Sequence, residues 1–252
     1  MKIKGAIAAT VVAAGMTGIA TADIVDVNMV IRDFATEHPD FQPDGVTGGV
    51  VTDVVEATLG ADGKPVLNPE RAALDFITSP ETFAQWYKDV EDINVNLARA
   101  FQFDNTITAD PRVYTYQDAT FFPIDNEGFG NQGNSNNYHF TVELHTQFVY
   151  SGGDPITLRY RSDDDMWVFI NGQRIIDLGG VRRAANAQFI LDSTSAAALG
   201  LVVGETYDFD LFYTERRTRE AEFFADILIP SPSAAVIGLM GLGALGTRRR
   251  RA

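Results

Sequence analysis

The sequence predicts an all-β sandwich in a single domain, and three observations carry that prediction. Segments in which apolar and polar residues alternate recur along the chain, separated by turn residues. The longest is Tyr138–Tyr150, where Tyr138, Phe140, Val142, Leu144, Phe148 and Tyr150 face one way, against His139, Glu143, His145 and Gln147. Helical periodicity, by contrast, is confined to one short stretch. Finally, 17 Phe and 8 Tyr in 252 residues supply a core for one large β domain, with no long-period repeat to divide it.

Both ends lie outside that fold. Met1–Ala22 has Lys2 and Lys4, an apolar run from Ala6 to Ala20, and Ala20-Thr21-Ala22 as a small-residue cleavage site, which reads as a secretory signal peptide. At the other end Ile229-Pro230-Ser231-Pro232 leads into the apolar run Ala234–Gly246 and the basic cluster Arg248–Arg251. That run is shorter than the roughly 17–25 residues that span a bilayer. It reads either as a sorting segment processed at the membrane or as a short tail anchor, with the arginines on the cytoplasmic side. The chain thus divides into residues 1–22, 23–229 and 230–252.

Between the ends stand 14 basic and 34 acidic residues, a net charge of −20. So acidic a domain excludes nucleic acid and anionic membrane as partners and suits cations. The absence of cysteine excludes disulfides and thiolate metal sites. No Gly-x-Ser-x-Gly, phosphate loop, His-Glu-x-x-His or cysteine nucleophile is present, so the chain reads as a non-enzyme. A carboxylate pair for glycoside hydrolysis is the one catalytic arrangement that spacing alone does not reveal.

Taken in order, Ile24–Phe34 alternates as a strand, with Val25, Val27, Met29 and Ile31 on one face. His38–Gly49 is a Pro/Gly-rich loop, and Val50–Leu59 is extended up to a turn at Ala61–Pro65. Ser79 can cap a helix with Pro80 at its first position, and Phe83, Trp86, Tyr87 and Val90 then share one face. That face packs on a sheet or, as a minority reading, stacks on sugar. Val95–Phe103 and Tyr114–Tyr116 are strands, followed by Phe121–Asp125 and the Asn/Gly-rich loop Asn126–Asn137. Asp125 and Glu127 on this loop either line a ligand cleft or belong to a hairpin excursion without direct function. Glu143 and His145 make at most a two-ligand metal site. Thr206–Tyr213 and Phe223–Ile229 close the domain.

The chain is organised around Arg159–Gly180. Asn171-Gly172 sits between Met166–Ile170 and Gln173–Leu178, and both residues tolerate the positive φ of a type I′ hairpin. Before it come three consecutive acids, Asp163, Asp164 and Asp165, placed on a loop beside Trp167. Their mutual repulsion suits a hard divalent cation, and Ca²⁺ takes oxygen ligands from such loops. The alternative is a solvated acidic turn. Asp177 before Gly179-Gly180 reads as a turn residue rather than a further ligand.

The string DDDMWVFINGQRIIDLGG, with RDFATEHPDF, FFPIDNEGFG and NYHFTVEL upstream and FYTERR downstream, resembles a bacterial fibro-slime domain. These motifs run in order from Ile31 to about Phe224, and that domain is in turn similar to the PA14 β-sandwich family. The resemblance aligns Ile170-Asn171-Gly172 with the Ile-Asp-Gly of PA14 domains and so puts their Asp-Asp pair on Asp163-Asp164. In lectin-type relatives an Asn completes the metal site; here Glu215 stands in its place. An ion pair of Glu215 with Arg216 or Arg217 is the competing reading. Arg182 and Arg217 occupy positions where the family usually has histidine, and arginines near the acids would weaken the metal reading by neutralising them. The tail resembles a PEP-CTERM sorting signal, with Ser231-Pro232 near the place of its tripeptide.

Together these imply an exported, surface-retained module that binds a glycan or extracellular matrix component, dependent on Ca²⁺ and handled by surface sorting machinery. The expected metal ligands are Asp163, Asp164 and Glu215, and Asp165, Trp167, Asp125 and Glu127 are candidate ligand contacts. A structural envelope protein without a discrete ligand is the alternative, and a polysaccharide-acting hydrolase the third.

Overall fold

The structure, a computed structural model, describes residues 23–71 and 74–230. The expected signal peptide and the tail beyond Pro230 lie outside the described residues. Among the described residues no helix is long and apolar enough to cross a membrane.

The fold is nearly all β. Ten strands form one antiparallel sheet: β1 (Ile24–Phe34), β2 (Asn94–Asp104), β3 (Val113–Asp118), β4 (Phe140–Val149), β5 (Ile156–Asp163), β6 (Asp165–Ile170), β7 (Gln173–Leu178), β8 (Ala185–Leu191), β9 (Thr206–Glu215) and β10 (Glu222–Leu228). Their order across the sheet is β7-β6-β9-β4-β1-β2-β3-β10-β5-β8. The sheet bends between β2 and β3, which share the single pair Asp104–Thr115. At the other side β7 and β8, the two ends of the order, come into contact. The ladder is thus doubled over into two layers with the main core between them. Met29, Ile31, Val142, Leu144 and Met166 enter it from one layer, and Leu158, Tyr160, Phe223 and Ile227 from the other.

The β6–β7 hairpin has the expected two-residue turn, with φ of 51° at Asn171 and 69° at Gly172. Strand β6 itself is apolar on both faces. Met166, Val168 and Ile170 point into the main core, whereas Trp167 and Phe169 point out of it into a second one. That second core exists because the segment between β1 and β2 folds back over the outer face of β6, β9, β4 and β1. It contributes Phe41, Val54, Val55, Phe83, Trp86 and Tyr87, all buried. Trp86 Nε1 donates to Asp40 Oδ2 at 3.0 Å, which settles the one polar atom of its indole.

Within this cover α1 (Pro80–Phe83) is a single turn. Ser79 caps it: its hydroxyl accepts from Thr82 N–H, and Thr82 Oγ1 accepts from Ser79 N–H. Phe83, Trp86 and Tyr87 are buried and Val90 half-buried, so the aromatic face packs on the sheet and offers no sugar platform. Val50–Leu59 forms no strand of its own; it makes isolated bridges, Val51 to Gly179 and Thr58 to Gln173, along β7. A second short helix, α2 (Ser193–Ala198), is held by Asp192 and Ser195 in the same reciprocal capping arrangement.

The cover also buries polar residues on the outer face of β4, which alternation alone would leave in water. His139 is 1 % exposed, and burial lowers its pKa to about 4. The unfolded chain takes up this proton near pH 6.5, so the stability gained by keeping the ring neutral is complete above that value. It is lost as pH falls toward 4, by up to about 3 kcal/mol at 1.36 kcal/mol per unit. Urea unfolding at pH 7.5 and 4.5 should therefore show a smaller loss for His139→Gln than for the wild type. Equal losses in the two proteins would refute it.

Candidate functional site

The acid triplet is not on a solvated loop. β5 runs through Asp163 and β6 begins at Asp165, so only Asp164 separates the strands. β5 pairs with β8 and β10, while β6 pairs with β7 and β9. The three acids therefore mark the point where the chain crosses from one layer to the other, and crossing there buries them: Asp163 is 6 %, Asp164 2 % and Asp165 0 % exposed. The Asp163–Asp164 peptide bond is cis.

Glu215, the last residue of β9, ends beside this crossing. Asp163, Asp164 and Glu215 each offer a carboxylate oxygen within 4.8 Å of the other two. Burial pushes Asp163 up to about 6. Burial also raises Asp164 and Glu215 well above the ordinary carboxylate range; the neighbouring carboxylates add to the effect, and the nearby Arg216 charge opposes it at Asp164. Backbone amides hold the cluster in place. Asp164 Oδ1 accepts from Arg182 N–H at 2.7 Å and Oδ2 from Arg216 N–H at 3.3 Å. Glu215 accepts from Arg217 N–H at 3.2 Å and from the Tyr213 hydroxyl at 3.1 Å.

No cationic side chain is ion-paired with these three carboxylates among the described residues. The two buried arginines close by are engaged elsewhere. Arg182 donates from its guanidinium to Ser162 O, Ser162 Oγ and Leu178 O. Arg216, fully buried, pairs with Asp165: Nε donates at 2.9 Å, and Nη2 lies 2.7 Å away, off the line of a good hydrogen bond. Its Nη1 donates to Phe76 O at 2.7 Å, and its plane lies over the rings of Phe76 and Trp86. The ion pair of Glu215 with Arg216 or Arg217 does not form; Arg182 and Arg216 act on Asp163 and Asp164 through nearby charge, without a direct pair.

Asp163 and Asp164 form the floor of a cleft of about 630 Å³ walled by the loops at 46–50, 181–185 and 217–220, with Glu215 buried behind them. Gly179-Gly180 lets two of these walls meet. A Cβ on Gly179 would sit 2.5 Å from Val51 O, and Gly180 has a φ of +106° while its N–H donates to Asp165 Oδ1 at 2.6 Å.

Four expected ligand contacts are not in this cleft. Asp165 is sealed in its pair with Arg216 and Gly180 and has no oxygen to offer. Trp167 is completely buried between Phe83 and Trp86 in the second core, so it presents no face for stacking. Asp125 accepts from Asn136 Nδ2 and Asn137 N–H, which shapes its own loop, and Glu127 pairs with Arg99. Asp177 lies in β7 rather than a turn, where it accepts from Asp53 N–H and pairs with Arg174. Glu143 and His145 are drawn into an ion network with Arg32, Lys64 and Asp210 rather than a metal site. Sequence reasoning missed Arg183 and Arg219 on the cleft wall; the signal was basic doublets in an acidic chain, at 182–183 and 216–217.

A family model of the PA14 domain matches residues 94–227, from the start of β2 almost to the end of β10. This chain belongs to the PA14 domain family. Among curated proteins, psiQ of Dictyostelium discoideum is 37% identical over 69% of this chain and psiR 34% identical over 74%. The PA14 chain spans only 18% of psiQ and 19% of psiR. Among solved structures it is similar to the PA14 domain of the antifreeze protein MpAFP. That likeness has 10% identity and a TM-score of 0.33, and covers 81% of this chain and 87% of that one. It is too loose to carry an argument about ligands. The match begins after β1 and after the cover of the second core, so both lie outside the residues that the family model matches.

Proposed function

We propose that this PA14 domain is a calcium-dependent glycan-binding module of an exported, surface-held protein. The observation that carries the reading is the convergence of Asp163, Asp164 and Glu215, buried and without an ion-paired cation, with Asp163 and Asp164 lining the floor of an open cleft. Three carboxylates with no directly paired cation are costly to bury. A divalent ion removes that cost. Ca²⁺ takes oxygen ligands at 2.3–2.6 Å, so two oxygens on one ion stand at most about 5 Å apart, and the spacing of the cluster suits this. Asp163, Asp164 and Glu215 would hold the ion, which when bound would offer vacant coordination positions to paired sugar hydroxyls. The chain's own backbone donors at 182, 216 and 217 keep the carboxylates aimed.

The reading is one of binding without turnover. The fibro-slime subtype, the removal of residues 1–22 and the sorting role of the tail rest on the sequence motifs, and a matrix glycan and surface sorting machinery are the partners they suggest. Calorimetry of the purified protein with CaCl₂ should show uptake of one ion. A glycan array should then show binding that EDTA abolishes. Absence of Ca²⁺ uptake would remove the proposal and leave a structural envelope protein as the better account.

A further inference from the structure

The cleft above the acid cluster is basic, in a protein that elsewhere is strongly acidic. Among the described residues 14 carry a basic side chain of lysine or arginine. Nine of them are held in ion pairs: Arg32, Lys64, Lys88, Arg99, Arg112, Arg159, Arg161, Arg174 and Arg216. Of the five that are not, four line this one cleft, namely Arg182, Arg183, Arg217 and Arg219. Even with 34 acids available, four of the five basic residues that lack an ion pair surround one cavity, which makes a pattern.

The individual atoms agree. Arg182 is 5 % exposed, and its Nε has no hydrogen-bond partner. Nη1 of half-buried Arg217 is likewise buried and unpartnered. Buried donors are rarely left unpaired, because the lost hydration is not recovered. Arg183 and Arg219 stand exposed on the walls, free to meet a ligand. The only acid on the walls is Glu220; the others, Asp163 and Asp164, belong to the floor. A neutral sugar has no use for this arrangement. A carboxylate or sulfate on a sugar ring matches the planar fork of a guanidinium, which donates two parallel hydrogen bonds to such a group. The general negative field of the protein would not prevent this, because charges beyond about 8 Å are screened at physiological salt.

We infer that the cleft selects acidic sugars, with the cation site holding ring hydroxyls and the arginines Arg183, Arg217 and Arg219 engaging the anionic substituent. The inference rests on the calcium-dependent reading of the same site but extends it to the class of glycan. Its test is calorimetry of the full-length protein in CaCl₂ with three probes: galacturonate oligosaccharides, sulfated galactan oligosaccharides and neutral galactan oligosaccharides of equal length. At least one acidic probe should bind tenfold or more tightly than the neutral one, and which of them does so tells carboxylate from sulfate. The Arg183→Ala/Arg219→Ala variant, altered only at exposed positions, should bring that ratio close to one while Ca²⁺ uptake stays unchanged. Raising NaCl to 0.5 M should weaken the acidic probe more than the neutral one. Equal or tighter binding of the neutral probe, no binding of either acidic probe, or an unchanged ratio in the variant would overturn the inference. Preference for the neutral probe with Ca²⁺ intact fails this inference alone. Acidic binding that survives both EDTA and Asp163→Asn/Asp164→Asn keeps the arginine site and fails the calcium reading instead.

Discussion

Replacing Arg216 with alanine is expected to lower the stability of the domain by about 3–5 kcal/mol. Arg216 is fully buried, and its removal strands Asp165 as an uncompensated charge with zero exposure. It also empties the space over Phe76 and Trp86 and frees Phe76 O. For a domain of this size the melting temperature should fall by roughly 6–20 °C. Arg216→Met combined with Asp165→Asn should recover most of the loss, because both charges then leave together and an apolar stem still fills the site. Thermal melts of the single and double variants decide it. A single variant that melts with the wild type, or a double variant no better than the single, would mean the pair is not what holds the second core to the acid crossing.

The second large effect is a reversal of sign. Asp163→Asn/Asp164→Asn removes two of three repelling, buried charges while keeping the side chains' size. In EDTA the variant should therefore melt at or above the wild type. In millimolar CaCl₂ the wild type should gain RT ln(1 + [L]/Kd), about 2.7 kcal/mol at a hundredfold excess over Kd, and the variant nothing. Mg²⁺ should do less, since it gives up its waters reluctantly. A wild-type melt that is the same in CaCl₂ and EDTA would refute the expectation.

How far the sequence led can be traced through particular residues. Strands such as Ile24–Phe34 and Thr206–Tyr213 were legible because the face toward the main core is apolar and the other is mostly polar even where the cover buries it, so the period of two survives in the side chains. β6 was legible as a strand but not in its orientation. With Met166, Trp167, Val168, Phe169 and Ile170 all apolar, nothing local says which face carries Trp167, and the cover that buries it comes from the segment before β2. The same cover defeats the alternation in β4, where Glu143 and His139 point away from the main core yet are buried. Asp163 and Asp164 drew attention as an acid run, whereas Glu215 entered through family resemblance alone, because a contact between β5 and β9 has no local signature. The engagement of Arg216 with Asp165 could not be read at all: Asp163, Asp164 and Glu215 gather at the same crossing, and only the layer crossing decides which acid meets the arginine.

The place of β1 in the sheet has a consequence for how the chain is assembled. The first strand to leave the ribosome is a central one, hydrogen-bonded on one side to β2 and on the other to β4, as in the pairs Ile31–Leu97 and Ile31–Val142. Its second partner is made more than a hundred residues later, so one side of β1 waits unpaired until more than half of the domain has been synthesised. Contacts this distant in sequence close slowly, which places folding on the millisecond-to-second scale typical of non-local β topologies. A chain that cannot finish its sheet early stays threadable for longer, which is compatible with the proposed export. It also means that trimming past Asp23 does not fray an edge; it removes a middle rung and parts β4 from β2.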